Sequence, residues 1–380
     1  MKIRYLFFSA MALTIVSGLL SCKGSAGASA DTSADTTDLA PEAKILTLKK
    51  GNGYHIAEIV NPWQTDKLLQ TLILVDRDAN IPAADLPEGT VVKVPLRSSL
   101  VYSSAHAGII DELGKADAIT GVCDSEFYKM PKIVEGLKSG KIVDAGNSMS
   151  PSIERIVALA PDAIVVSPFQ NAGHGAIEQL KIPIIEMADY MELSPLGRAE
   201  WIKLVGVLYG CEEQADSVYS VVCGEYAKLR DMVANVAHRP KIINENITNG
   251  IWYMAGGNSY MARMFADAGG DYPWADDDHA GSLELDFATV YDVAHDADVW
   301  MTKTVGYDMT LDELRKIYSL NARFKAFKEG NVYNCNTTES PLFEEFPFHP
   351  ERLLRDFIIM FHPELMPADA QLRYYKKVKG

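Results

Sequence analysis

A stretch of about 26 residues without proline, residues 212–237, constrains the fold of this chain more than any other feature. At 1.5 Å per residue it predicts a single helix about 39 Å long. Pro240 ends this helix, because proline disfavours a helical conformation in the residue before it. Apolar residues recur within it at helical intervals, namely Val218, Val221, Val222, Leu229 and Val233. The chain is therefore expected to consist of two regions with a long helix between them.

Strands and helices alternate on both sides of this helix. "SIERIVALAPDAIVVS", residues 152–167, predicts a helix followed by a buried strand, and "FATVYDVAHDADVWMT", residues 287–302, repeats the unit. Such alternation implies a parallel sheet with helices on both faces. The apolar stripes expected to pack on the two sheets are Ile153, Ile156, Val157 and Ala160, and Phe287, Val290, Tyr291 and Ala294.

The predicted fold class is therefore α/β. Two Rossmann-like lobes, each with a central sheet flanked by helices, are joined by one long rigid helix. Short apolar runs separated by turns in residues 44–96 predict a small β-rich N-terminal extension.

The first 22 residues have the pattern of a bacterial lipoprotein signal. Lys2 and Arg4 precede an uncharged apolar run, residues 5–20, and "LLSC" places Cys22 after a small residue. A charged start followed by an apolar run is typical of a secretory signal, and a membrane span would need about 20 apolar residues. We expect Cys22 to be lipidated; the alternative is an ordinary signal cleaved nearby.

Residues 23–40 contain almost no large apolar side chain, which predicts a flexible tether. Loss of Lys2 and Arg4 with the signal changes the formal net charge from -15 to -15 - 2 = -17. Such acidity argues against nucleic acid as a partner, because phosphate binding needs a basic surface. The predicted regions are a signal at 1–21, a tether at 22–42, the β-rich extension at 43–96, the N-terminal lobe at 97–211, the linker helix at 212–238 and the C-terminal lobe at 239–380.

The sequence contains no motif for nucleotide binding or for nucleophilic catalysis. No G-x-G-x-x-G opens a helix after a strand, and neither a P-loop nor a G-x-S-x-G elbow is present. No CxxC pair occurs, which argues against a zinc or thioredoxin-like site. Cys211 and Cys223 would lie about 18 Å apart on one helix, too far for a disulfide.

Two segments with histidine leave alternatives open. His106, in "SSAHAG", could face a cleft as a hydrogen-bond donor or metal ligand, or be satisfied locally at a helix start. "DDDH", residues 276–279, could bind a cation, but consecutive carboxylates do not easily converge. A solvated acidic loop is the favoured interpretation, and no metal site is predicted.

Aromatic residues cluster after predicted strands in both lobes. The carboxyl ends of strands are where open α/β sheets bind ligands, and aromatic faces suit a large, flat or partly apolar ligand. Tyr190 is expected to contact the ligand from one lobe, and Trp252 and Tyr253 from the other. The predicted ligand-binding residues are Ser104, His106, Tyr128, Phe169, Tyr190, Trp252, Tyr253, Tyr260 and Trp274.

Residues 90–365 resemble the class III substrate-binding proteins of bacterial ABC importers, which serve uptake of iron-siderophores, haem and vitamin B12. The segments that carry this resemblance are "SPSIERIVALAPDAIVVS", "AGGNSYMARMFADAGGDYPW", "KEGNVYNCN" and, as in versions from Bacteroidetes-type bacteria, "SPLGRAEWIKLVGVLYG".

The resemblance implies a lipid-anchored monomer on the periplasmic side of a bacterial membrane. It would trap a metal chelate between its lobes and present it to a permease and its ATPase. No reaction and no cofactor of its own are expected, although the transported ligand can contain iron or cobalt.

The resemblance also implies docking residues. In the family a glutamate on each lobe pairs with arginines of the permease. Glu154 matches the position on the N-terminal lobe, whereas Ala288 stands at the equivalent position of the C-terminal lobe. This sequence departs from the family pattern there, and Glu284 or Asp286 could substitute. An acidic residue in the first turn of a helix is also favoured by the helix dipole alone.

Three other functions stay open at the level of sequence. A receptor for a bare metal ion would need three or four converging ligands. A surface enzyme of α/β fold acting on polysaccharide would need two carboxylates about 5–10 Å apart across a cleft. A ligand scavenger would lack a transporter.

Overall fold

The computed structural model describes residues 37–380, which belong to one compact unit, Ala34–Gly380. The predicted signal, Cys22 and most of the predicted tether lie outside the described residues. The α/β fold class is confirmed: parallel sheets are flanked by helices in two lobes, and a long helix connects them.

The β-rich extension is a four-stranded sheet in the order β1-β2-β3-β4, in which β3 and β4 pair in parallel and the other pairs are antiparallel. Its strands are β1 (Leu46–Lys50), β2 (Tyr54–Val60), β3 (Leu68–Asp76) and β4 (Thr90–Val94). Leu48 and Leu72 share one apolar core with Trp201 and Leu204 of the N-terminal lobe. The extension is therefore packed as part of that lobe.

Two buried carboxylates hold the start of this sheet. Glu200 Oε2 accepts the backbone N–H groups of Glu42 and Ala43, at 2.7 and 2.9 Å. Glu192 accepts those of Lys44 and Ile45 and the indole N–H of Trp201. Because these donors would otherwise be buried without partners, the two glutamates fix where the chain enters the fold.

The N-terminal lobe is built on a five-stranded parallel sheet in the order β11-β10-β5-β6-β7. Its strands are β5 (Ser99–Val101), β6 (Ile119–Val122), β7 (Val143–Asp144), β10 (Ala163–Val166) and β11 (Ile184–Glu186), with a small hairpin of β8 (Gly146–Asn147) and β9 (Ser150–Pro151). Its helices are α1 (Ser104–Glu112), α2 (Pro131–Ser139), α3 (Ile153–Leu159), α4 (Pro195–Glu200) and α5 (Ile202–Tyr209).

The linker helix, α6 (Glu212–Met232), is shorter than predicted. It buries a helical stripe of Ala215, Tyr219, Val222 and Tyr226, whereas Val221 faces solvent. The helix ends at Met232, before Pro240 is reached. Its C-cap residue, Val233, continues the buried face into the core of the C-terminal lobe, next to Gly269.

The C-terminal lobe has a four-stranded sheet in the order β12-β16-β17-β18, parallel except for β18, and a three-stranded antiparallel sheet, β13-β14-β15. Its strands are β12 (Ile242–Asn244), β13 (Ile247–Thr248), β14 (Ile251–Ala255), β15 (Ser282–Leu285), β16 (Val299–Thr304), β17 (Val332–Asn336) and β18 (Lys376–Lys377). Its helices are α7 (Tyr260–Asp267), α8 (Phe287–Ala294), α9 (Leu311–Ile317), α10 (Lys325–Lys328), α11 (Leu342–Glu345) and α12 (Pro350–Phe361).

The repeated helix–strand unit occurs in both lobes as α3–β10 and α8–β16. The predicted stripe on α3 is wrong in part: Ile156 is buried, but Val157 is 57% exposed. α8 buries Val290 and Ala294. α3 has seven residues and ends at Ala160 in a left-handed conformation. In its second turn Leu159, and not Val157, packs against the core of the sheet.

All four cysteines of the described region, Cys123, Cys211, Cys223 and Cys335, are free. The expectation that Cys211 and Cys223 do not pair is confirmed.

Candidate functional site

The carboxyl ends of the two parallel sheets face each other. Lys129 follows β6, and its Nζ donates to the carbonyl of Thr337, directly after β17, at 2.8 Å. The Lys129 backbone N–H donates to Glu344 Oε1 at 2.7 Å. These contacts join the loops at the two strand edges, where open α/β sheets bind their ligands.

Exposed aromatic side chains line these edges in both lobes. Phe127 and Phe169 follow β6 and β10, and Phe169 is 58% exposed. Tyr307 and Phe343 follow β16 and β17, and Phe343 is 45% exposed. Exposed aromatic groups on opposing strand edges form a surface suited to a large, partly apolar ligand.

A buried charged cluster lies between the lobes. Asp189 accepts from Arg198 Nε at 3.0 Å, and its other oxygen lies 2.8 Å from His106 Nε2. The Arg198 guanidinium stands 4.9 Å from the ring of Tyr260 and 5.0 Å from that of Phe346, both in the C-terminal lobe. Arg198 thus connects a carboxylate of one lobe with two aromatic rings of the other.

The charges in this cluster depend on one another. Burial by itself raises the pKa of Asp189, but the positive charge of Arg198 and the contact with His106 hold the pKa below its ordinary value. The carboxylate is therefore ionised, and it compensates a guanidinium that cannot lose its proton. His106 is consequently part of the lobe interior and not a surface ligand residue.

A second charged pair lies at the strand edge of the C-terminal lobe. Lys303, near the end of β16, pairs with Glu245, which follows β12 in a left-handed conformation. Burial lowers the pKa of Lys303, but Glu245 outweighs burial and raises it. The lysine is therefore charged, and its charge is compensated within the protein.

The structure separates the predicted ligand-binding residues into two groups. Phe169 and Tyr253 are exposed, and Ser104, Tyr190, Tyr260 and Trp274 are half-buried. His106, Tyr128 and Trp252 are buried. Tyr128 donates its hydroxyl proton to the Val101 carbonyl at 2.8 Å, so both ends of this side chain are committed to the core.

The placement of Trp252 corrects the prediction that it contacts ligand. Its ring is fully buried and stacks on Trp300 at 5.5 Å, and its indole N–H donates to the Asn244 carbonyl at 2.9 Å. Adjacent residues of a strand point to opposite faces, and Tyr253 is 42% exposed. Trp252 and Tyr253 therefore cannot line the same surface.

Sequence reasoning did not find Arg198, Lys303, Tyr307 or Phe343. The available signal for Tyr307 and Phe343 was their position soon after a strand of the second lobe. No local signal marks Arg198, because its partners Tyr260 and Phe346 are distant in sequence.

Of the proposed docking residues, Glu154 is exposed in the first turn of α3, and Ser152 caps that helix. Asp286 is the N-cap of α8, and its carboxylate accepts the Thr289 N–H at 2.7 Å. This hydrogen bond lowers the pKa of Asp286. Glu284 lies opposite Tyr253 on the exposed side of the β14–β15 pair.

Within residues 37–380, the structure brings no group of three or more His, Cys, Asp or Glu side chains together in a way that could hold a metal ion. In the segment 276–279, His279 interacts with Asp277 at an exposed position. The same part of the chain contains no helix with both the length and the apolar composition needed to cross a membrane.

Several known proteins are similar to this chain. An uncharacterized lipoprotein of Methanocaldococcus jannaschii is 28% identical over 326 residues, 83% of this chain and 81% of the relative. The petrobactin-binding protein YclQ of Bacillus subtilis is 25% identical over 161 residues, 42% of this chain and 46% of that protein. A periplasmic heme binding protein from Pseudomonas aeruginosa has a solved structure with the same fold, with a TM-score of 0.59 at 15% identity, covering 75% of this chain and 99% of that one.

The two lobes, the facing strand edges and the linker helix agree with these similarities. A family model described as periplasmic binding protein matches residues 100–338, well over half of the chain. The protein therefore belongs to the periplasmic binding protein family.

Proposed function

We propose that this protein, a binding protein of the ABC-importer type, captures a bulky metal chelate between its lobes and delivers it to a membrane permease and its ATPase. The ligand would be a ferric siderophore, haem or a corrinoid. The observation that carries the proposal is the presence of exposed aromatic side chains on both facing strand edges, Phe127 and Phe169 on one lobe and Tyr307 and Phe343 on the other.

The charged groups near these edges support a binding mode dominated by aromatic contact. Arg198 is paired with Asp189, and Lys303 with Glu245. Charges already compensated within the protein contribute little to attracting a ligand, whereas aromatic faces contribute contact area with little loss of side-chain freedom.

The known relatives favour an iron chelate over a corrinoid. One relative is named for petrobactin and one solved structure for heme. Members of this family are substrate-binding transport proteins, so the protein is a receptor and not an enzyme. Lipid attachment at Cys22 belongs to the same proposal, and the lipoprotein name of a relative supports it.

Titration of the purified protein tests ligand and site together. Haem, ferric siderophores and cobalamin each absorb visible light, so binding is read from the absorption spectrum. We expect tight binding of one of these ligands. If the ligand buries both rings, Phe169→Ala and Phe343→Ala should each weaken the free energy of ligand binding by about 1–3 kcal/mol.

Val221→Ala is the matched control, because Val221 is an exposed apolar residue on α6 outside the strand edges. It should leave affinity unchanged. Affinity equal to that of the unmodified protein in both phenylalanine variants would place the site elsewhere.

Transport should depend on Glu154 without a change in folding. Its carboxylate is exposed, and exposed ion pairs contribute about 0–1 kcal/mol to stability. Breaking a desolvated pair at a permease interface costs about 2–5 kcal/mol. Glu154→Arg should therefore abolish most uptake in cells while ligand affinity and melting temperature stay the same.

The C-terminal lobe provides the comparison for this prediction. Asp286 caps α8, so a change there would also disturb the helix. Glu284→Arg avoids this effect and should add to the transport defect of Glu154→Arg. Normal uptake by Glu154→Arg would refute its docking role, and a lowered melting temperature would assign it a structural one.

A further inference from the structure

A further junction between the lobes lies where α1 of the N-terminal lobe meets α11 and α12 of the C-terminal lobe. A Cβ atom at Gly108 of α1 would collide with the backbone carbonyl of Glu344 in α11, so the two helices meet at backbone contact. Glu112, the last residue of α1, and His349, the N-cap residue of α12, lie at the same junction. The two lobes therefore hold each other at α1 as well as through α6.

His349 has a carboxylate at each ring nitrogen. Nε2 lies 2.7 Å from Glu112 Oε2 in the N-terminal lobe, and Nδ1 lies 2.9 Å from Glu351 Oε1 in its own lobe. A neutral imidazole has a single N–H and can donate only one of these hydrogen bonds. Both bonds form at once only when the imidazole is protonated.

Burial and the helix dipole disfavour a protonated His349, and the ionised carboxylates of Glu112 and Glu351 offset this cost. The His349 side chain is 5% exposed, and it stands at the N-terminus of α12, where the helix dipole disfavours a positive charge. Loss of the proton would turn a buried nitrogen lone pair toward a carboxylate oxygen. The protonated state is thus the one that joins the lobes.

The other charged groups facing this junction come from five elements. Arg352 of α12 lies 3.8 Å from Glu112 and 3.6 Å from Glu351, and it also pairs with Glu345 of α11. Arg373, in the C-terminal segment, pairs with Glu345. Asp111, beside Glu112 on α1, pairs with Lys132 of α2.

These arginines stay charged at every accessible pH. Arg352 therefore keeps a weaker attraction to Glu112 when His349 loses its proton.

We propose that Glu112, His349 and Glu351 form a pH-sensitive clasp that holds the two lobes together where α1 meets α11 and the start of α12. The clasp is closed while His349 is protonated, and it weakens when the imidazole becomes neutral.

The direction of the pH effect follows from both partners. Burial lowers the pKa of His349, but its hydrogen bonds to Glu112 and Glu351 outweigh burial and raise it above 6.5. A raised histidine pKa means that the stabilisation is complete below the pKa of the unfolded chain and is lost as pH rises through the folded pKa. The pKa of Glu112 is lowered, despite burial, by His349, so its contribution is lost only at acid pH.

The clasp is a contact between the two lobes that needs no ligand, and its test uses the ligand-free full chain. Failure of the clasp is therefore distinguishable from failure of the proposed ligand. Two measurements are needed: NMR titration of the His349 ring, and amide hydrogen exchange of α1 and α11 at about pH 6 and about pH 9, corrected for the intrinsic rate.

We expect His349 to titrate above 6.5 and α1 to exchange faster at the higher pH, by about tenfold for each unit by which its pKa is raised. In the Glu112→Gln variant, the amides of α1 should exchange fast already at about pH 6, and their exchange should lose most of its pH dependence. Glu351→Gln is the matched control: it removes the carboxylate on the other side of the same ring. It should lower the pKa of His349 and move the loss of α1 protection to lower pH, but the pH dependence of exchange should remain because Glu112 still meets the ring.

Titration of His349 at or below 6.5 would overturn the proposal. So would unchanged α1 exchange in Glu112→Gln, or equal loss of protection in Glu112→Gln and Glu351→Gln. If Glu112→Gln fails to fold, the titration and the pH dependence of exchange in the unmodified protein still decide the question.

Discussion

Asp189→Asn should destabilise the protein by about 3–5 kcal/mol, because it leaves the buried guanidinium of Arg198 without its counter-charge. Asp189 and Arg198 are both almost fully buried, and the arginine cannot escape the cost by losing its proton. A loss of this size is a large share of the total stability of a typical domain, about 5–15 kcal/mol. Urea denaturation followed by circular dichroism measures it as a lower midpoint.

Asp312→Asn is a matched control for this experiment. Asp312 pairs with Arg315 at 2.9 Å, but both side chains are more than half exposed, so the change should cost no more than about 1 kcal/mol. The double variant Asp189→Asn/Arg198→Met should regain part of the lost stability, because the uncompensated charge is gone. A midpoint for Asp189→Asn equal to that of Asp312→Asn would contradict this account of the cluster.

The general architecture was predictable because its signals are local. The proline-free run gave the linker helix, and alternating strand and helix patterns gave two lobes with parallel sheets. The end of that helix was not predictable, because no glycine or proline marks Met232 as its last residue. Tertiary context commonly overrides local helix propensity.

The sequence predicts a candidate site at the strand edges, but it does not separate the exposed residues there from the buried ones. Phe169 and Tyr253 are exposed, whereas His106 and Tyr128 are buried. The buried ring of His106 is held by its contact with Asp189, which is 83 residues away in the sequence. A single sequence shows which residues follow strands, but not which of them a distant partner draws into the interior.

Trp252 illustrates an error that the sequence itself could have prevented. The segment "IWYMA" forms β14, and in a strand Trp252 and Met254 must share one face while Tyr253 takes the other. Both Trp252 and Met254 are fully buried. The alternation indicates which aromatic residue belongs to the core once the segment is assigned to a strand covered on one face.

Trp252→Ala should therefore lower stability and leave the ligand surface untouched. Removal of a large buried aromatic side chain costs about 3–5 kcal/mol, and here it also removes the stacking on Trp300 and the hydrogen bond to the Asn244 carbonyl. Tyr253→Ala, the neighbouring change on the exposed face, should cost less than about 1 kcal/mol. Thermal denaturation of both variants measures this difference.

Ligand titration of the same two variants, under conditions where each is folded, separates the core role from the surface role. Trp252→Ala should bind ligand as the unmodified protein does, since a fully buried ring on the inner face of β14 offers a ligand no surface. Trp252→Phe should recover much of the stability, because it keeps the aromatic packing and loses only the indole N–H bond and some volume. Reduced affinity in a folded Trp252→Phe variant, with stability close to that of the unmodified protein, would move Trp252 from the core to the site.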